Sequence, residues 1–181
     1  LLSSCAPYAE RNVYFSFTPE DSLRKIRDTY TIDKEKTARY DAIYLLSEER
    51  IDHAGGRNRW YFQEHHKLRY IVLKPHEEWV STFKVSTKKH SSLINAMISV
   101  ISPDGKTHIY NRSDLHFESS SDGSATWKLA YADVQAGSLI EESYIIETEP
   151  FKAPPLSHDI RLQPSVPCDK MVLQYNVPSW W

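Results

Sequence analysis

The segment Glu64-His65-His66 has the residue types of a metal site. Adjacent side chains on a β-strand point to opposite faces, so His65 and His66 cannot chelate the same ion. Glu64 and His66 share a face and could supply two ligands, whereas a zinc site takes three or four. The sequence has no His-x-His or Cys-x-x-Cys spacing. We therefore expect a hydrogen-bonded pair at or near the surface, with no metal and no cofactor.

Cys168 is the residue that could act as a nucleophile. Such chemistry needs a histidine and an acid nearby, and a hairpin could bring His158 and Asp159 to the thiol. Cys168 follows Pro167 at the start of a predicted strand, however, where a free thiol is usually a small packed hydrophobe. A cysteine hydrolase is therefore kept only as an alternative, which a Cys168→Ala variant would test.

Other catalytic patterns are missing from the sequence. It has no Gly-x-Ser-x-Gly, and its five glycines leave little for a nucleophile elbow or a phosphate loop. Glu141 and Glu142 must alternate faces on their predicted strand. We expect Glu142 to be solvated and Glu141 to be buried with a polar partner in a structural role. The sequence thus predicts no catalytic residues.

The first residues resemble a processing site. Leu2-Ser3-Ser4-Cys5 is similar to the lipobox of bacterial lipoproteins, in which an apolar and two small residues precede the lipid-bearing cysteine. The alternative is a chance match of four residues. The resemblance implies lipid attachment at Cys5 and an exported, membrane-anchored lipoprotein, in the periplasm or at the outer membrane or cell surface. Two or more acyl chains would hold it stably.

Charge and hydropathy exclude two kinds of partner. The net charge is −2, and the 22 Lys and Arg residues are spread along the chain. We expect no nucleic-acid binding, which requires clustered positive charge. No stretch approaches the roughly 20 apolar residues of a membrane-spanning helix, so a lipid anchor is the only membrane contact that we predict.

The periodicity changes near Tyr40. Residues 18–30 are predicted to form a helix, with Thr18 as its cap and Pro19 in its first turn, and 31–39 to form a linker or a helical continuation. Period-two patterns then follow, separated by turns such as Ala54-Gly55-Gly56-Arg57 and Ser102-Pro103-Asp104-Gly105-Lys106. About nine short strands indicate an all-β fold, an antiparallel, saddle-like β-sandwich with a short N-terminal helix. We divide the chain into residues 1–38 and a sandwich domain, 39–181.

For two of the predicted strands, the sequence also indicates which face is buried or where the strand begins and ends. The strand after the first hairpin turn places Leu68, Tyr70 and Val72 on a buried face and Lys67 and Arg69 on a wet one. A further strand is predicted from Trp79 to Val85.

Several stretches together carry a resemblance to a known family. They are Asp41-Ala42-Ile43-Tyr44-Leu45-Leu46, Ser102-Pro103-Asp104-Gly105-Lys106, Ala136-Gly137-Ser138-Leu139-Ile140-Glu141, and Phe151 with 163–167 and Pro178. In order and spacing, 41–178 resembles the N-terminal domain of unknown function that precedes transglutaminase-like domains in bacterial exported proteins. The resemblance implies a β-sandwich like the N-terminal domain of zinc aminopeptidases, with a helper role and no established catalytic residues.

Aromatic residues suggest two kinds of binding. Trp180 and Trp181 follow Pro178 and would form an apolar patch unless covered, which predicts contact with a downstream domain or an envelope protein. Core packing is the default for Trp60, Trp79 and Trp127. If instead they are exposed in a row, a carbohydrate-binding module is the alternative, with a glycan as its ligand. We expect a non-catalytic accessory or scaffold domain.

Overall fold

The structure is a computed structural model that describes residues 17–56, 59–151 and 166–176. Within these ranges the chain contains short helices and nine strands. The helices are α1 (Glu20–Thr29), α2 (Lys34–Thr37), α3 (Glu78–Ser81) and a 3₁₀ turn (Arg112–Asp114). The strands are β1 (Ala42–Gly56), β2 (Arg59–Val72), β3 (Thr82–Thr87), β4 (Ser91–Ile101), β5 (Thr107–Asn111), β6 (His116–Ser119), β7 (Ala125–Ala130), β8 (Leu139–Phe151) and β9 (Met171–Asn176).

The strands form two sheets. The large sheet has the order β5-β4-β8-β2-β1-β9, and the small sheet has the order β3-β7-β6. The prediction of an all-β, sandwich-like fold with a short N-terminal helix is confirmed. One strand departs from the expected antiparallel arrangement, because β9 runs parallel to β1, pairing Ser47 with Met171 and Asp52 with Asn176.

The main core lies between the two sheets. The large sheet contributes alternate residues of its central strands, and the small sheet contributes residues from β3, β7 and their connections. The fully or nearly buried members include Tyr70, Val72, Ile98, Val100 and Ile140 on one side and Val80, Phe83, Val85 and Trp127 on the other. Their burial follows the period-two pattern, since side chains two residues apart share a face.

A second core lies on the opposite face of the large sheet. There Leu23 of α1 packs against a cluster formed by Ile43, Leu45, Ile71, Ile101 and Leu139. The prediction of a wet face is therefore wrong at this end of β2. Period two separates the two faces of a strand, but it cannot reveal that a distant helix covers the second one.

Two local predictions are corrected. Pro19, and not Thr18, occupies the N-cap position of α1, and no side chain caps the helix. The hydroxyl of Thr18 instead accepts a hydrogen bond from Arg69, and its amide donates one to Glu141. Residues 78–81, expected as strand, form α3, and the strand begins at Thr82. The linker contains α2. The expected strand near 160–162 lies outside the described residues.

The predicted turn after β4 is confirmed. Gly105 adopts a positive φ of 90°, and its amide donates a hydrogen bond to the carbonyl of Ser102, with N and O 2.9 Å apart. The Asp104 carboxylate accepts from the amide of Lys106 at 3.1 Å. These are the contacts that Pro-Asp-Gly sequences favour. In the described part of the chain, no helix is long and apolar enough to cross a membrane.

Candidate functional site

A groove opens between the two sheets. Its larger cavity, about 570 Å³, lies between the large sheet and the segment from Glu77 to Lys84. A smaller cavity of about 270 Å³ continues toward β9 and is lined by Glu49, His66 and Met171 among others. The two cavities share four lining residues, namely Tyr44, Leu68, Glu142 and Tyr144. They therefore form one continuous groove across strands β1, β2 and β8.

The groove exists because the two sheets differ in length. Strands β1 and β2 contain 15 and 14 residues, whereas β3, β6 and β7 contain 6, 4 and 6. At roughly 3.3 Å per residue, the long hairpin extends about 50 Å and each small-sheet strand at most about 20 Å. Strands this short leave a large part of the hairpin's inner face beyond the small sheet.

Glu142 lies at the centre of this groove. Its Oε1 accepts hydrogen bonds from the hydroxyls of Tyr70 at 2.8 Å and Tyr131 at 2.6 Å. Burial raises the pKa of the Glu142 carboxyl, and the two hydroxyls oppose that rise. The prediction that Glu142 is solvated is wrong. Its side chain faces the inter-sheet space, because it lies on the same face as Tyr144 and pairs with Leu68 and Ile98.

Tyrosines form the walls around Glu142. Burial, followed by the nearby Glu142 charge, raises the pKa of Tyr44 to about 12. The same causes, with smaller contributions from Glu64 and Glu49, raise the pKa of Tyr144. These phenols thus stay protonated at neutral pH, where they can donate a hydrogen bond and cannot act as bases.

The aromatic rings of the groove do not lie in one plane. The ring of Trp79 makes an angle of 80° with Tyr44 and 35° with Tyr70. Sugar-binding rows present rings as a flat platform for stacking, and this arrangement lacks that geometry among the described residues. Trp127 is buried in the core, and the side chain of Trp60 lies outside the described residues.

One end of the groove holds a cluster of possible metal ligands. One atom each from Glu49, Glu64 and His66 lies within 4.8 Å of the other two. The Nε2 of His66 is 3.5 Å from Glu64 Oε2, yet it is buried and makes no hydrogen bond. The ring of His66 stacks on Tyr144, with centroids 4.6 Å apart and planes 20° apart. Glu64 and His66 share a face as expected, but the expected hydrogen bond at His66 Nε2 is absent. Glu49 adds a third candidate ligand.

Sequence reasoning missed Glu49 because the hairpin turn was assigned to Gly55 and Gly56. Those two glycines lie within β1, and Gly56 pairs with Arg59, so the prediction of a turn at Gly55 and Gly56 is wrong. This register places Glu49 opposite His66. A turn at Gly55 and Gly56 would instead have placed Phe62 opposite Glu49. A correct assignment of the loop would have revealed the third candidate ligand.

The opposite face of the same strands carries structural ion pairs. Glu141 is 1% exposed and accepts two hydrogen bonds from Arg69, at 2.8 and 2.5 Å. His65 lies on this face too, with its Nε2 3.2 Å from Asp52. The predictions of a buried, partnered Glu141 and of opposed His65 and His66 are confirmed.

Cys168 is held in a setting that disfavours nucleophilic chemistry. Its Sγ is 3.3 Å from the carbonyl of Lys170, to which the thiol donates, and its backbone pairs with Tyr44. Burial raises the pKa of the thiol. An activated cysteine has a lowered pKa instead. His158 and Asp159 lie outside the described residues.

The remaining predicted site residues, Cys5, Trp180 and Trp181, also lie outside the described residues. The strand that leads toward the two tryptophans is described, and it presents an apolar stripe. Met171, Leu173 and Tyr175 are 37%, 42% and 43% exposed, respectively. They alternate along β9, so they share one face. Met171 also lines the smaller cavity, which makes the stripe continuous with the groove.

Comparison with known proteins identifies the fold but no family. No family model matches the sequence, and no curated protein matches it. A solved structure described as a "putative protease" from Parabacteroides distasonis is similar, with a TM-score of 0.65 and 14% sequence identity. The match covers 77% of this chain and 29% of that one. This chain therefore resembles, in fold, less than a third of the length of a larger protein.

Proposed function

We propose that this chain is a non-catalytic accessory domain that binds a neighbouring domain of a longer exported protein through β9 and the adjoining groove. The observation that carries the proposal is the apolar stripe of Met171, Leu173 and Tyr175. Each of these side chains is more than one-third exposed, and contiguous apolar surface on a soluble protein commonly marks an interface.

Two further features support a protein partner. The stripe lies shortly before Trp180 and Trp181, so a domain that follows them would start beside it. The fold also occurs within a chain of which it matches only 29%, the Parabacteroides distasonis protein. A role beside a transglutaminase-like domain, which the sequence resemblance implies, fits this arrangement and is part of the proposal.

The chemistry of the described groove supports a non-catalytic role. Its central carboxylate is engaged by two tyrosine hydroxyls, and the cysteine thiol has a raised pKa. A general base must instead be within reach of a substrate proton and have a pKa suited to accept it. An envelope protein is the alternative partner, and a carbohydrate ligand is less favoured by the ring geometry.

Hydrogen exchange tests the proposed interface. We expect the amides of 171–176 to exchange more slowly in the longer encoded protein than in this chain alone. Leu173→Asp should abolish that protection, because it places a charge within the apolar contact. Gln174→Asp is the matched control, since the neighbouring side chain points to the other face and is exposed. Equal exchange of β9 in both proteins would contradict the proposal.

Lipid attachment at Cys5 is the second part of the proposal, and it supports an envelope location. Mass spectrometry of protein from native membranes should find a diacylglyceryl modification on Cys5. Cys168 provides an internal control and should carry no lipid. An unmodified Cys5 would refute anchoring without affecting the proposed interface.

A further inference from the structure

We propose that Glu49, Glu64 and His66 bind one divalent metal ion of the zinc class at the open end of the groove. The three side chains come from the two long strands of one hairpin, where Glu49 lies directly opposite His66 and Glu64 is two residues earlier on β2. The strand pairing therefore fixes their backbone positions without help from a loop.

The distances suit such an ion. Zinc lies about 2.0–2.2 Å from imidazole nitrogen and carboxylate oxygen, so neighbouring ligand atoms of a tetrahedral site are roughly 3.4 Å apart. His66 Nε2 and Glu64 Oε2 are 3.5 Å apart. The third ligand atom lies within 4.8 Å of both, a gap that a rotation of the Glu49 carboxylate can close.

His66 supplies an independent reason to expect a ligand. Its Nε2 is buried and makes no hydrogen bond, and leaving such an atom unsatisfied costs free energy. Stacking on Tyr144 holds the ring in place, so the nitrogen is already directed before any ion binds. A bound metal ion would accept the lone pair of this nitrogen and so satisfy it.

The charge of the surroundings also favours a cation. The carboxylates of Glu49 and Glu64 lie within 4.8 Å of each other, and Glu142 lines the same cavity as Glu49. Bringing like charges together is unfavourable, and a divalent cation between two of them relieves that repulsion. One imidazole and two carboxylates suit zinc better than calcium, which takes six to eight oxygen ligands.

Three protein ligands leave one position of a tetrahedral ion open. Glu49 and His66 both line the smaller cavity, so the open position would be reached from the groove. A side chain of a bound partner or a water molecule could occupy it.

A calorimetric titration of the full chain with Zn²⁺ as the only added metal tests the site. We expect one equivalent to bind. The isosteric variants Glu49→Gln and Glu64→Gln, and His66→Ala, should each weaken binding. Loss of a group that only orients a ligand weakens zinc binding roughly 10- to 100-fold, so loss of a ligand should cost at least as much. Ca²⁺ in excess should not compete.

The chain offers a matched control. His116 and Glu118 on β6 have the same two-residue spacing and the same 3.5 Å separation, but they are exposed and belong to no three-ligand group among the described residues. His116→Ala should leave binding unchanged. The proposal is overturned if wild type binds no zinc, or if His66→Ala and His116→Ala reduce binding equally. Circular dichroism of each variant separates loss of a ligand from loss of the fold.

Discussion

Glu142 shows how one residue can couple the groove to pH. Its carboxyl is buried between the sheets and bonded to Tyr70 and Tyr131, and burial raises its pKa. The folded chain thus holds the Glu142 proton more tightly than the unfolded chain does. Above the ordinary glutamate pKa of about 4.3, folding must therefore oppose ionisation of this group.

Glu142→Gln removes this ionisation while keeping a carbonyl oxygen to accept both hydroxyls. Wild-type stability from this group is fully present below the ordinary glutamate pKa and decreases as pH rises through the raised one. We expect the free energy of unfolding of Glu142→Gln, relative to wild type, to increase as pH rises above the ordinary glutamate pKa of about 4.3. Within the titration window the change is at most about 1.4 kcal/mol per pH unit. Urea denaturation at several pH values measures it.

Glu118→Gln is the control of opposite sign. Glu118 is exposed, and a hydrogen bond from Lys128 lowers the pKa of its carboxyl. The favourable contribution of ionised Glu118 is present at neutral pH and is lost as pH falls. The free energy of unfolding of Glu118→Gln, relative to wild type, should therefore decrease as pH rises. If both variants show the same pH trend, the assignment of Glu142 as a buried acid with a raised pKa is wrong.

At the level of elements, α1 closes the outer face of the large sheet. Leu23 is 1% exposed and contacts the outer cluster that includes Ile43, Ile71 and Leu139. Arg24 adds polar contacts, donating to Glu20 at 2.6 Å and to the carbonyl of Gly105 at 2.7 Å. The helix is therefore joined to the turn after β4 as well as to the sheet.

Leu23→Ala should lower the free energy of unfolding by about 2–5 kcal/mol, the usual range for a buried leucine that leaves a cavity. Lys25→Ala on the exposed side of the same helix should change it by no more than about 0.5 kcal/mol. Urea denaturation of both variants measures the difference. Comparable small effects would show that α1 is not packed on the sheet.

At the scale of the whole molecule, the large sheet belongs to two cores. Adjacent residues of β2 and β8 serve opposite layers: Tyr70 and Ile140 face the small sheet, whereas Ile71 and Leu139 face α1. Loss of either layer exposes the same strands, so the layers should unfold together as a single cooperative unit.

Phe83→Ala, in the small sheet, tests this coupling together with Leu23→Ala. Phe83 is 1% exposed, and its removal should cost about 3–5 kcal/mol. For each variant, tryptophan fluorescence and far-ultraviolet circular dichroism should report the same urea midpoint, lower than that of wild type. Separate midpoints for the two signals would show that the layers unfold independently.

The class of fold, most strand positions and the turn at 102–106 are predictable from the sequence, because they depend on period two and on local turn chemistry. The sequence also predicts that His65 and His66 are opposed and that Glu141 and Glu142 lie on different faces, since alternation is a property of any strand. What covers each face depends on contacts between elements far apart in the chain, which period two does not reveal. Glu142 was expected in solvent, but it lies between the two sheets and accepts a hydrogen bond from Tyr131, and α1 covers a face expected to be wet. The approach of Glu49 to His66 was likewise decided by hairpin register, because moving the loop by two residues changes every cross-strand partner while leaving the alternation of each strand unchanged.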